Sequence, residues 1–549
     1  MIRQNYLTDP YSINPNIKIM TSPCKISFLS VMSIIGLAAC SNEKLSDIPN
    51  EPNETQSSEI RFHLNTNDFT RADNHDSDIK TLHLAFYKSG ATTPSLITVK
   101  KATLSGEPGN YTVKAEFSPI DMPDMVVAYA NIDDLTLIET GLFTTTTDKV
   151  ILDDGYPIMS SATYFTNTES NEIAYFSKLT PDNISGKDPV NIYLDRLAAK
   201  VQVKKASEIG LTDVKAIDKD NNNITLSINA DDMKWGILAT DKSTYLLKKV
   251  ENKSYEDYAK LLSLWKTPDK WNDTEKHTFH WANSVNHGTS FNSENISSLA
   301  VKDITTGLGV DPIYTHETTR SGEETAKVNA RPSIVISAQY YKSDNTPANT
   351  FFRYRSGGKD RIYTDAADFI AEVEKAQRCI YTKEEGSENP TLANPGSLTS
   401  MLTLSHPSAD ITSTDGTEFP AQYLSPQINT ESFSNYCDAS GKSYENAADI
   451  NKALFAQFNV IEEYNAGKCV FIIPIEHING ENPLYGLVRN HSYTLTLKSI
   501  AGFGRGVAKE DSPISDMVVP GLSDSYTINA SLQVNDWTEI TQEIDISNQ

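Results

Sequence analysis

The sequence predicts an all-β protein. Thr, Ser, Asn, Asp and Tyr recur throughout the 549 residues, with 25 tyrosines, between short runs of Val, Ile, Leu and Tyr. β-Branched and aromatic residues favour strands, and small polar residues favour the turns between them. Long amphipathic helical patterns are scarce, and short strands separated by turns are typical of a β-sandwich. The chain is too long for a single core, so two or more domains are expected.

The charge limits the partners. Acidic residues number 72 against 48 basic ones, which gives a net charge of −24. Nucleic acid and anionic lipid both require a positive surface, so this charge argues against either as a partner.

The cysteines indicate neither a disulfide framework nor a metal site. Cys24 and Cys40 lie in the N-terminal segment, which leaves Cys379, Cys437 and Cys469 at wide spacings. One bridge among these three, or isolated thiols, both remain open.

The N-terminal segment is predicted to be a lipoprotein signal peptide over residues 1–40. Lys25 precedes the apolar stretch 26–39, which is short for a transmembrane span of about 20 residues. The stretch ends in Leu37-Ala38-Ala39-Cys40, a lipobox in which Cys40 would carry the lipid. Residues 1–19 lack export features, so Met20 is the alternative start. The polar, acidic residues 41–57 are predicted to form a disordered tether.

Alternation predicts the first strands. Ile60, Phe62 and Leu64 alternate with Arg61 and His63, which indicates a half-buried strand. Further strands are predicted at 82–86, 111–117, 125–130, 149–152, 173–176, 191–203, 224–228, 245–250, 333–341, 469–475, 492–499 and 526–534. Short helices are predicted at 366–376 and 447–458, and a domain boundary is expected near 204–210.

Several groups of residues have the composition of a binding site. His277, His280 and His287 begin a zinc-like spacing without further ligands, so ordinary histidines are the preferred interpretation. Asp218, Asp220 and Asn222 imitate a calcium loop that lacks its glycine and terminal glutamate, so a polar hairpin turn is preferred. Trp265, Trp271 and Trp281 could stack on a sugar, but packing is the preferred role. The run Gly502, Gly504 and Gly506 indicates a flexible loop. No catalytic motif, metal or cofactor is predicted.

Three segments carry a family resemblance. They are Tyr193-Leu194-Asp195-Arg196-Leu197-Ala198-Ala199-Lys200-Val201, then Tyr485-Gly486-Leu487-Val488-Arg489-Asn490-His491-Ser492-Tyr493-Thr494-Leu495-Thr496-Leu497, and finally Ala530-Ser531-Leu532-Gln533-Val534-Asn535-Asp536-Trp537. With them the chain resembles the fimbrillins of Bacteroidales, shaft-forming lipoproteins of surface fimbriae. The C-terminal segments are most similar to the short-fimbria subunit.

The resemblance implies an architecture and a maturation route. Two transthyretin-like β-sandwich domains would span 72–205 and 206–535, with loop and short-helix insertions in the second. A trypsin-like or Arg-specific surface protease would cut between Arg71 and Ala72 and release the first strand and processing loop, 58–71. A neighbouring subunit would then fill the vacated groove. The candidate donor strand is 536–549, with Ile540, Ile544 and Ile546.

Elementary physics agrees with this route. A loop rich in Asn and Asp is open to proteolysis, and loss of Ile60, Phe62 and Leu64 would leave an open sheet edge, which templates strand addition. Head-to-tail insertion does not close on itself, so it produces a filament.

The expected function is therefore that of a non-enzymatic fimbrial shaft subunit that supports adhesion. Its precursor would be lipid-anchored to the outer membrane. Its partners would be copies of itself, accessory and anchor subunits, the protease, and host or bacterial surface receptors. The alternatives are a tip, accessory or anchor subunit, or a surface glycan-binding lipoprotein.

Overall fold

The computed structural model describes residues 56–65, 78–90, 93–105, 110–166, 171–251, 254, 256–257, 277–288, 293–321, 330–356, 358–384, 387, 389–398, 400–406, 411–412, 418–419, 423–429, 433, 435–478, 483–517, 526–536 and 543–545. These residues belong to one compact unit, Asn53–Gln549.

Most of the N-terminal strands form a mixed sheet. The N-terminal strands are β1 (Gln56–Asn65), β2 (Leu82–Lys88), β3 (Ser95–Lys101), β4 (Thr103–Leu104), β5 (Asn110–Phe117), β6 (Met125–Ala130), β7 (Thr146–Thr147), β8 (Met159–Ser161), β9 (Tyr164–Phe165), β10 (Ile173–Ala174), β11 (Ser177–Lys178) and β12 (Val190–Arg196). Within the described part of the chain, the first sheet has the order β3-β2-β6-β8-β12-β1-β5-β4, with β11 beside β6, whereas β7, β9 and β10 belong to small separate sheets.

The first sheet is buried on both faces at β6 and β8. In β6, Val126 and Ala128 contribute to one apolar cluster, and Val127 and Tyr129 contribute to another. Successive side chains of a strand point to opposite faces, so the two clusters lie on the two sides of the sheet. The strand β6 has no exposed side chain for this reason.

The later strands form two further large sheets and several sheets of two or three strands. They are β13 (Ala198–Leu211), β14 (Val214–Ile217), β15 (Asn223–Ile228), β16 (Lys234–Leu238), β17 (Thr244–Tyr245), β18 (His277–Thr278), β19 (Thr306–Gly307), β20 (Ile313–His316), β21 (Thr318–Thr319), β22 (Ser333–Tyr341), β23 (Phe351–Ser356), β24 (Lys359–Tyr363), β25 (Tyr381–Thr382), β26 (Thr391–Leu392), β27 (Leu402–Ser405), β28 (Ile411–Thr412), β29 (Glu418–Phe419), β30 (Ser425–Ile428), β31 (Tyr436–Cys437), β32 (Glu462–Tyr464), β33 (Lys468–Pro474), β34 (Glu476–Ile478), β35 (Leu484–Leu487), β36 (His491–Gly502), β37 (Arg505–Gly506), β38 (Tyr526–Asp536) and β39 (Glu543–Asp545).

The two large sheets share one core. Among the described residues, one sheet has the order β20-β13-β36-β38-β39, and the other has the order β19-β16-β22-β15-β14-β24-β23-β32, with β33 beside β22. Val201 of β13 and Leu495 of β36 join Trp235, Ile334 and Phe471 of the other sheet in a single buried cluster.

The helices are short. They are α1 (Thr136–Thr140), α2 (Pro181–Ile184), α3 (Ala366–Ala376), α4 (Pro395–Leu398) and α5 (Ala447–Phe458). The predictions of helices at 366–376 and 447–458 are confirmed. Both begin at capping side chains: Asp365 accepts from the Ala367 amide at 2.9 Å, and Asn446 accepts from the Asp449 amide at 3.0 Å.

The all-β prediction is confirmed, since strands predominate. The chain passes from the first sheet to the sheet that contains β13 and β36 at Leu197, between β12 and β13. The segment 204–210, where a domain boundary was expected, lies within β13. The division into domains 72–205 and 206–535 stays a prediction.

Two predicted strands are wrong. Residues 149–152 make a single bridge, between Ile151 and Pro157, and 245–250 is a strand only at Tyr245. The backbone acceptors of the second segment bind side chains instead of a neighbouring strand. The Leu246 carbonyl accepts from the Ser160 hydroxyl at 2.5 Å, and the Lys248 carbonyl accepts from the Thr163 hydroxyl at 3.2 Å.

Candidate functional site

The first strand occupies a central position. β1 pairs antiparallel with β5 over eight residue pairs, from Gln56–Phe117 to His63–Asn110. On its other side it pairs parallel with β12 over four, from Phe62–Val190 to Asn65–Tyr193. We call the space between β5 and β12 the first-strand slot. Removing β1 would leave unpaired backbone groups on both walls of the slot.

Burial on the inner face of β1 follows the predicted alternation. Ile60, Phe62 and Leu64 are 0–2% exposed, and the Phe62 ring lies 6.3 Å from that of Phe86. Each such side chain contributes about 1.5–3 kcal/mol when fully buried, so the strand adds several kcal/mol to the first sheet. Apolar burial is non-directional, so other side chains of similar volume could replace these three.

The outer face of β1 lies beside the loop that follows α2. Arg61 donates from Nε to the Gly186 carbonyl at 3.0 Å and from Nη2 to the Lys187 carbonyl. A Cβ at Gly186 would lie 2.5 Å from the Glu59 carbonyl oxygen, so the loop approaches β1 as closely as a glycine allows. The capping box of Thr180 and Asn183 fixes the start of α2, and Asn183 Nδ2 donates to the Asp188 carbonyl of this loop at 3.2 Å.

The last strand occupies an edge. β39 pairs with β38 through three residue pairs, of which the middle one is Leu532–Ile544. Ile544 is thus the predicted donor residue that the structure places in a strand. Cys40, Arg71, Ala72, Ile540 and Ile546 lie outside the described residues.

Two of the segments that carried the family resemblance meet in space. Asn490, at the turn before β36, donates from Nδ2 to Asp195 of β12 at 3.2 Å and accepts from Arg196 at 3.1 Å. The backbone of Asn490 has φ of 60°, a left-handed conformation that asparagine tolerates better than most residues. The hydrogen bond between Arg196 and Asn490 thus joins residues 294 positions apart, at the point where the chain leaves the first sheet.

Arg489 forms a buried ion pair. Its Nε donates to Glu317 at 3.0 Å, and both side chains have no exposed surface. Its Nη2 donates to Thr244 Oγ1 at 2.8 Å and to the Tyr245 carbonyl at 2.7 Å, and its Nη1 donates to the Leu246 carbonyl at 3.3 Å. A buried charge is tolerated only when it is paired and hydrogen-bonded in this way.

Lys248 forms a second buried ion pair nearby. Its ammonium lies 2.7 Å from Asp195 and donates to the Phe279 carbonyl at 2.8 Å. The lysine and the aspartate are 2% and 4% exposed. We call the set Asp195, Lys248, Glu317, Arg489, Asn490, His280, His477 and His491 the junction network.

Three histidines complete the junction network. His491 Nδ1 contacts the Arg489 carbonyl at 2.7 Å and so carries the proton, which leaves Nε2 to accept from His280 Nδ1 at 2.9 Å. Burial, helped by the Lys248 charge, lowers the pKa of His491 to about 3. Burial also lowers the pKa of His280 and of His477 well below its usual value. The three rings are therefore neutral at pH 7.

Sequence reasoning missed the junction network. Lys248 directly follows the buried residues Leu246 and Leu247. A charged residue next to an apolar run was the local signal that could have indicated a buried ion pair. Glu317 carried no such signal, because its partner is 172 residues away. The same holds for a further buried pair, Arg320 and Asp241, joined at 2.8 Å.

The residues of the histidine and tryptophan motifs do not form a common binding site among the described residues. His280 belongs to the junction network, whereas His287 contacts Thr319 Oγ1 at 3.0 Å. Among the described residues, no group of three His, Cys, Asp or Glu could hold a metal ion. Trp281 is buried, at 8% exposure, so its ring does not offer a stacking face; Trp265 and Trp271 lie outside the described residues.

The aspartate motif is confirmed as a polar hairpin turn. It joins β14 to β15, and Asp218 accepts from the amides of Asp220 and Asn222 at 2.9 and 2.8 Å. The three cysteines beyond the N-terminal segment are free thiols.

The glycine run is packed rather than open, so the prediction of a flexible loop is wrong. A Cβ at Gly504 would lie 2.9 Å from the Phe471 ring, and one at Gly506 would lie 2.5 Å from the Glu463 carbonyl oxygen. In the part of the chain that the structure describes, no helix is long and apolar enough to cross a bilayer.

A family model matches the C-terminal part of the chain. Residues 462–543 match the model described as major fimbrial subunit protein type IV, fimbrillin, C-terminal. The matched range contains Arg489, Asn490, His491 and the paired strands β36 and β38. The predicted resemblance to fimbrillins is confirmed for this part of the chain.

Solved structures give a weaker likeness. One is a candidate cell adhesion protein from Parabacteroides distasonis, 12% identical, with 89% of this chain and 99% of that chain covered and a TM-score of 0.30. Another is a fimbrial assembly protein from the same organism, 11% identical, with 53% and 98% covered and a TM-score of 0.24. TM-scores this low do not establish a shared fold. No curated protein matches the sequence.

Proposed function

We propose that this protein is the shaft subunit of a surface fimbria and that it polymerises by replacing its own first strand with a strand of a neighbouring copy. The observation that carries the proposal is the central place of β1 in the first-strand slot, with both edges paired and three apolar side chains buried. A strand in this position cannot leave without creating a site for another strand.

The maturation begins at the membrane. The precursor is exported as a lipoprotein, carries lipid at Cys40 and is held by the tether 41–57 at the outer membrane. An Arg-specific surface protease cuts between Arg71 and Ala72, in the segment that joins β1 to β2. Residues 58–71 then remain with the lipid, and the slot opens.

The last strand is the donor. β39 is held by three residue pairs on one side, whereas β1 is held by eight pairs on one side and four on the other. A strand that moves from a sheet edge into the slot therefore gains both backbone pairing and apolar burial. Ile540, Ile544 and Ile546 have the alternation that the slot requires.

The assembly implies the partners. Each copy receives one strand and offers one, so the contact repeats and forms a filament. Accessory and anchor subunits occupy the ends of the filament. Cleavage by the protease initiates assembly, and the exposed surface of the filament binds host or bacterial receptors. The domains 72–205 and 206–535, as transthyretin-like sandwiches, would form the receiving and donating parts.

The test compares two arginines. Arg71→Ala should leave the protein lipidated at Cys40 and the cells bare of filaments, because the slot stays filled. Arg61→Ala is the matched control, since Arg61 lies within β1 and is fixed to the α2 loop; it should assemble normally. The measurement is N-terminal sequencing of protein sheared from the cells, with negative-stain microscopy of the same sample.

The outcomes are decisive. A mature chain that begins at Ala72, together with filaments, supports the proposal. Filaments built from the Arg71→Ala chain with an intact N-terminus would contradict strand exchange triggered by this cleavage. An unaltered chain that stays lipidated at Cys40 on cells without filaments would contradict the shaft role and favour an anchor or accessory subunit, or a glycan-binding lipoprotein.

A further inference from the structure

A cavity of about 490 Å³ opens at one end of the first sheet. It lies beyond the C-terminal end of β6, and its wall includes the buried side chains of Ile132, Leu152 and Leu246. A water molecule takes about 30 Å³ of liquid volume, so the cavity is much larger than one bridging water requires. Volumes of this size, with apolar walls and a few polar groups, are typical of binding sites.

The rim of the cavity is charged. Asp133 and Asp148 are exposed there, and Lys149 is beside them. Asp134 also lies on the rim, but its carboxylate accepts from the Thr136 amide at 3.0 Å at the start of α1. The rim therefore carries three carboxylates, two of them without this helix-start contact, and one ammonium around an apolar wall.

The other end of β6 carries an apolar tip. The turn before β6 is closed by the Asp121 amide, which donates to the Ser118 carbonyl at 2.9 Å. Ile120 projects from this turn with 68% of its surface exposed, the largest exposed fraction among the large apolar side chains described. Lys88 donates from Nζ to the Ile120 carbonyl, which places an ammonium beside the tip, and Asp121 adds a carboxylate.

The tip and the cavity lie at opposite ends of one strand. β6 runs from Met125 to Ala130, about 20 Å at the usual rise of a strand. The tip precedes its first residue, and the cavity follows its last. A surface feature at one end that fits a cavity at the other makes a heterologous contact, which repeats from copy to copy.

We propose that the Ile120 tip of one subunit inserts into this cavity of the next copy in the filament. The apolar side chain meets the apolar wall, Lys88 faces Asp133 and Asp148, and Asp121 faces Lys149. Opposite charges on both sides fix the orientation of the contact. The contact is separate from strand donation, and it rests on the proposed function because it needs successive copies in line.

The first experiment is a cross-link between two populations of the full chain, both in a Cys379→Ser background. One population carries Ile120→Cys and the other Leu137→Cys, at the cavity wall. The control replaces Ile120→Cys with Val310→Cys, a position that is 52% exposed. Mixed filaments should give an intermolecular disulfide for Ile120 with Leu137 and none for Val310 with Leu137.

The second experiment exchanges charges. Lys88→Glu should lower filament yield about tenfold, a loss typical of one interfacial contact. Adding Asp133→Lys and Asp148→Lys should restore the yield, because the two signs are then reversed together. Ile120→Asp should lower the yield, and Val310→Asp should not.

The results separate the two proposals. Filaments that form without the Ile120–Leu137 cross-link, and that tolerate Ile120→Asp, overturn the tip contact and leave strand donation standing. Failure of the unaltered protein to form any filament overturns the proposed function and the tip contact with it.

Discussion

The first-strand slot and the junction network hold their parts together by different forces. In the slot, Ile60, Phe62 and Leu64 are buried among other apolar side chains, and the polar contacts of β1 are mostly backbone pairing. In the junction network, Arg489 with Glu317 and Lys248 with Asp195 are charges without access to water.

The difference separates what can be exchanged from what cannot. Apolar burial depends on volume and alternation, so a different strand can supply it. A buried ion pair depends on direction and distance, so the loss of one partner leaves an uncompensated charge. The slot can therefore change its occupant during assembly, while the junction keeps the first sheet fixed to the strand β36.

The largest effect is expected in the junction network. Glu317→Ala leaves the Arg489 guanidinium buried without its counter-charge and should lower the free energy of unfolding by about 3–5 kcal/mol. The measurement is urea unfolding of the full chain followed by tryptophan fluorescence, because the Trp281 ring lies 5.7 Å from that of His477.

A matched control uses a pair near the surface. Glu510→Ala removes the partner of Lys468, where both side chains are at least 31% exposed, and should cost about 0–1 kcal/mol. Equal losses for the two variants would mean that burial does not distinguish the ion pairs.

A similar effect is expected inside the slot, but it should be reversible by substitution. Phe62→Ala should destabilise the precursor by about 3–5 kcal/mol, and Phe62→Leu by about 1 kcal/mol, since leucine keeps most of the apolar volume. Chemical denaturation of the full-length precursor measures both.

Exchange can also be tested directly. A peptide of residues 56–65 added to protein that begins at Ala72 should raise its melting temperature as the peptide concentration increases. The control peptide carries Phe62→Asp. If both peptides act alike, the slot does not select its occupant by apolar burial.

The junction should also make the protein sensitive to acid. Histidines in the unfolded chain take up protons near pH 6.5, whereas His280, His477 and His491 stay neutral in the fold, His491 down to about pH 3. The unfolded state therefore binds more protons, and stability falls as the pH drops below 6.5, by about 1.4 kcal/mol per pH unit for each histidine.

Urea unfolding at pH 7.5, 6.5 and 5.5 measures this slope. His280→Phe replaces one titrating ring with an uncharged ring of similar size. It should reduce the change of unfolding free energy with pH by the contribution of one histidine, about 1.4 kcal/mol per pH unit. An unchanged slope would show that these histidines do not govern the acid sensitivity.

The smallest effect on stability is expected at the last strand. A disulfide between cysteines introduced by Gln533→Cys and Glu543→Cys would fix β39 to β38 in its observed register and leaves the core residue Leu532 in place. Filaments should fail to form until a reductant is added. A disulfide between cysteines introduced by Thr494→Cys and Gln533→Cys, which joins β36 to β38, is the control and should not block assembly. Normal filaments from the first variant under oxidising conditions would exclude the C-terminal strand as donor.

Local patterns in the sequence predicted much of the fold. The helices 366–376 and 447–458 have capping residues and apolar spacing within one segment, and the strand β6 is a continuous apolar run. The inner face of β1 followed from alternation alone. Such features depend on residues a few positions apart, which a single sequence displays.

The failures share a cause. The segment 245–250 has the composition of a strand, but its carbonyls serve the side chains of Ser160, Thr163 and Arg489. Partners separated by more than 80 residues leave no local trace, so propensity was overridden by tertiary contacts.

The sequence by itself determined the strand-rich class, the helices, the alternation of β1 and the resemblance of the C-terminal part to fimbrillins, because these depend on neighbouring residues. Only the tertiary structure decided that β1 lies between β5 and β12, that Asp195 meets Asn490, and that Gly504 and Gly506 are packed against other strands. The physical reason is that burial and pairing between distant segments arise when the chain closes on itself, and they are fixed by the whole set of contacts rather than by any one stretch.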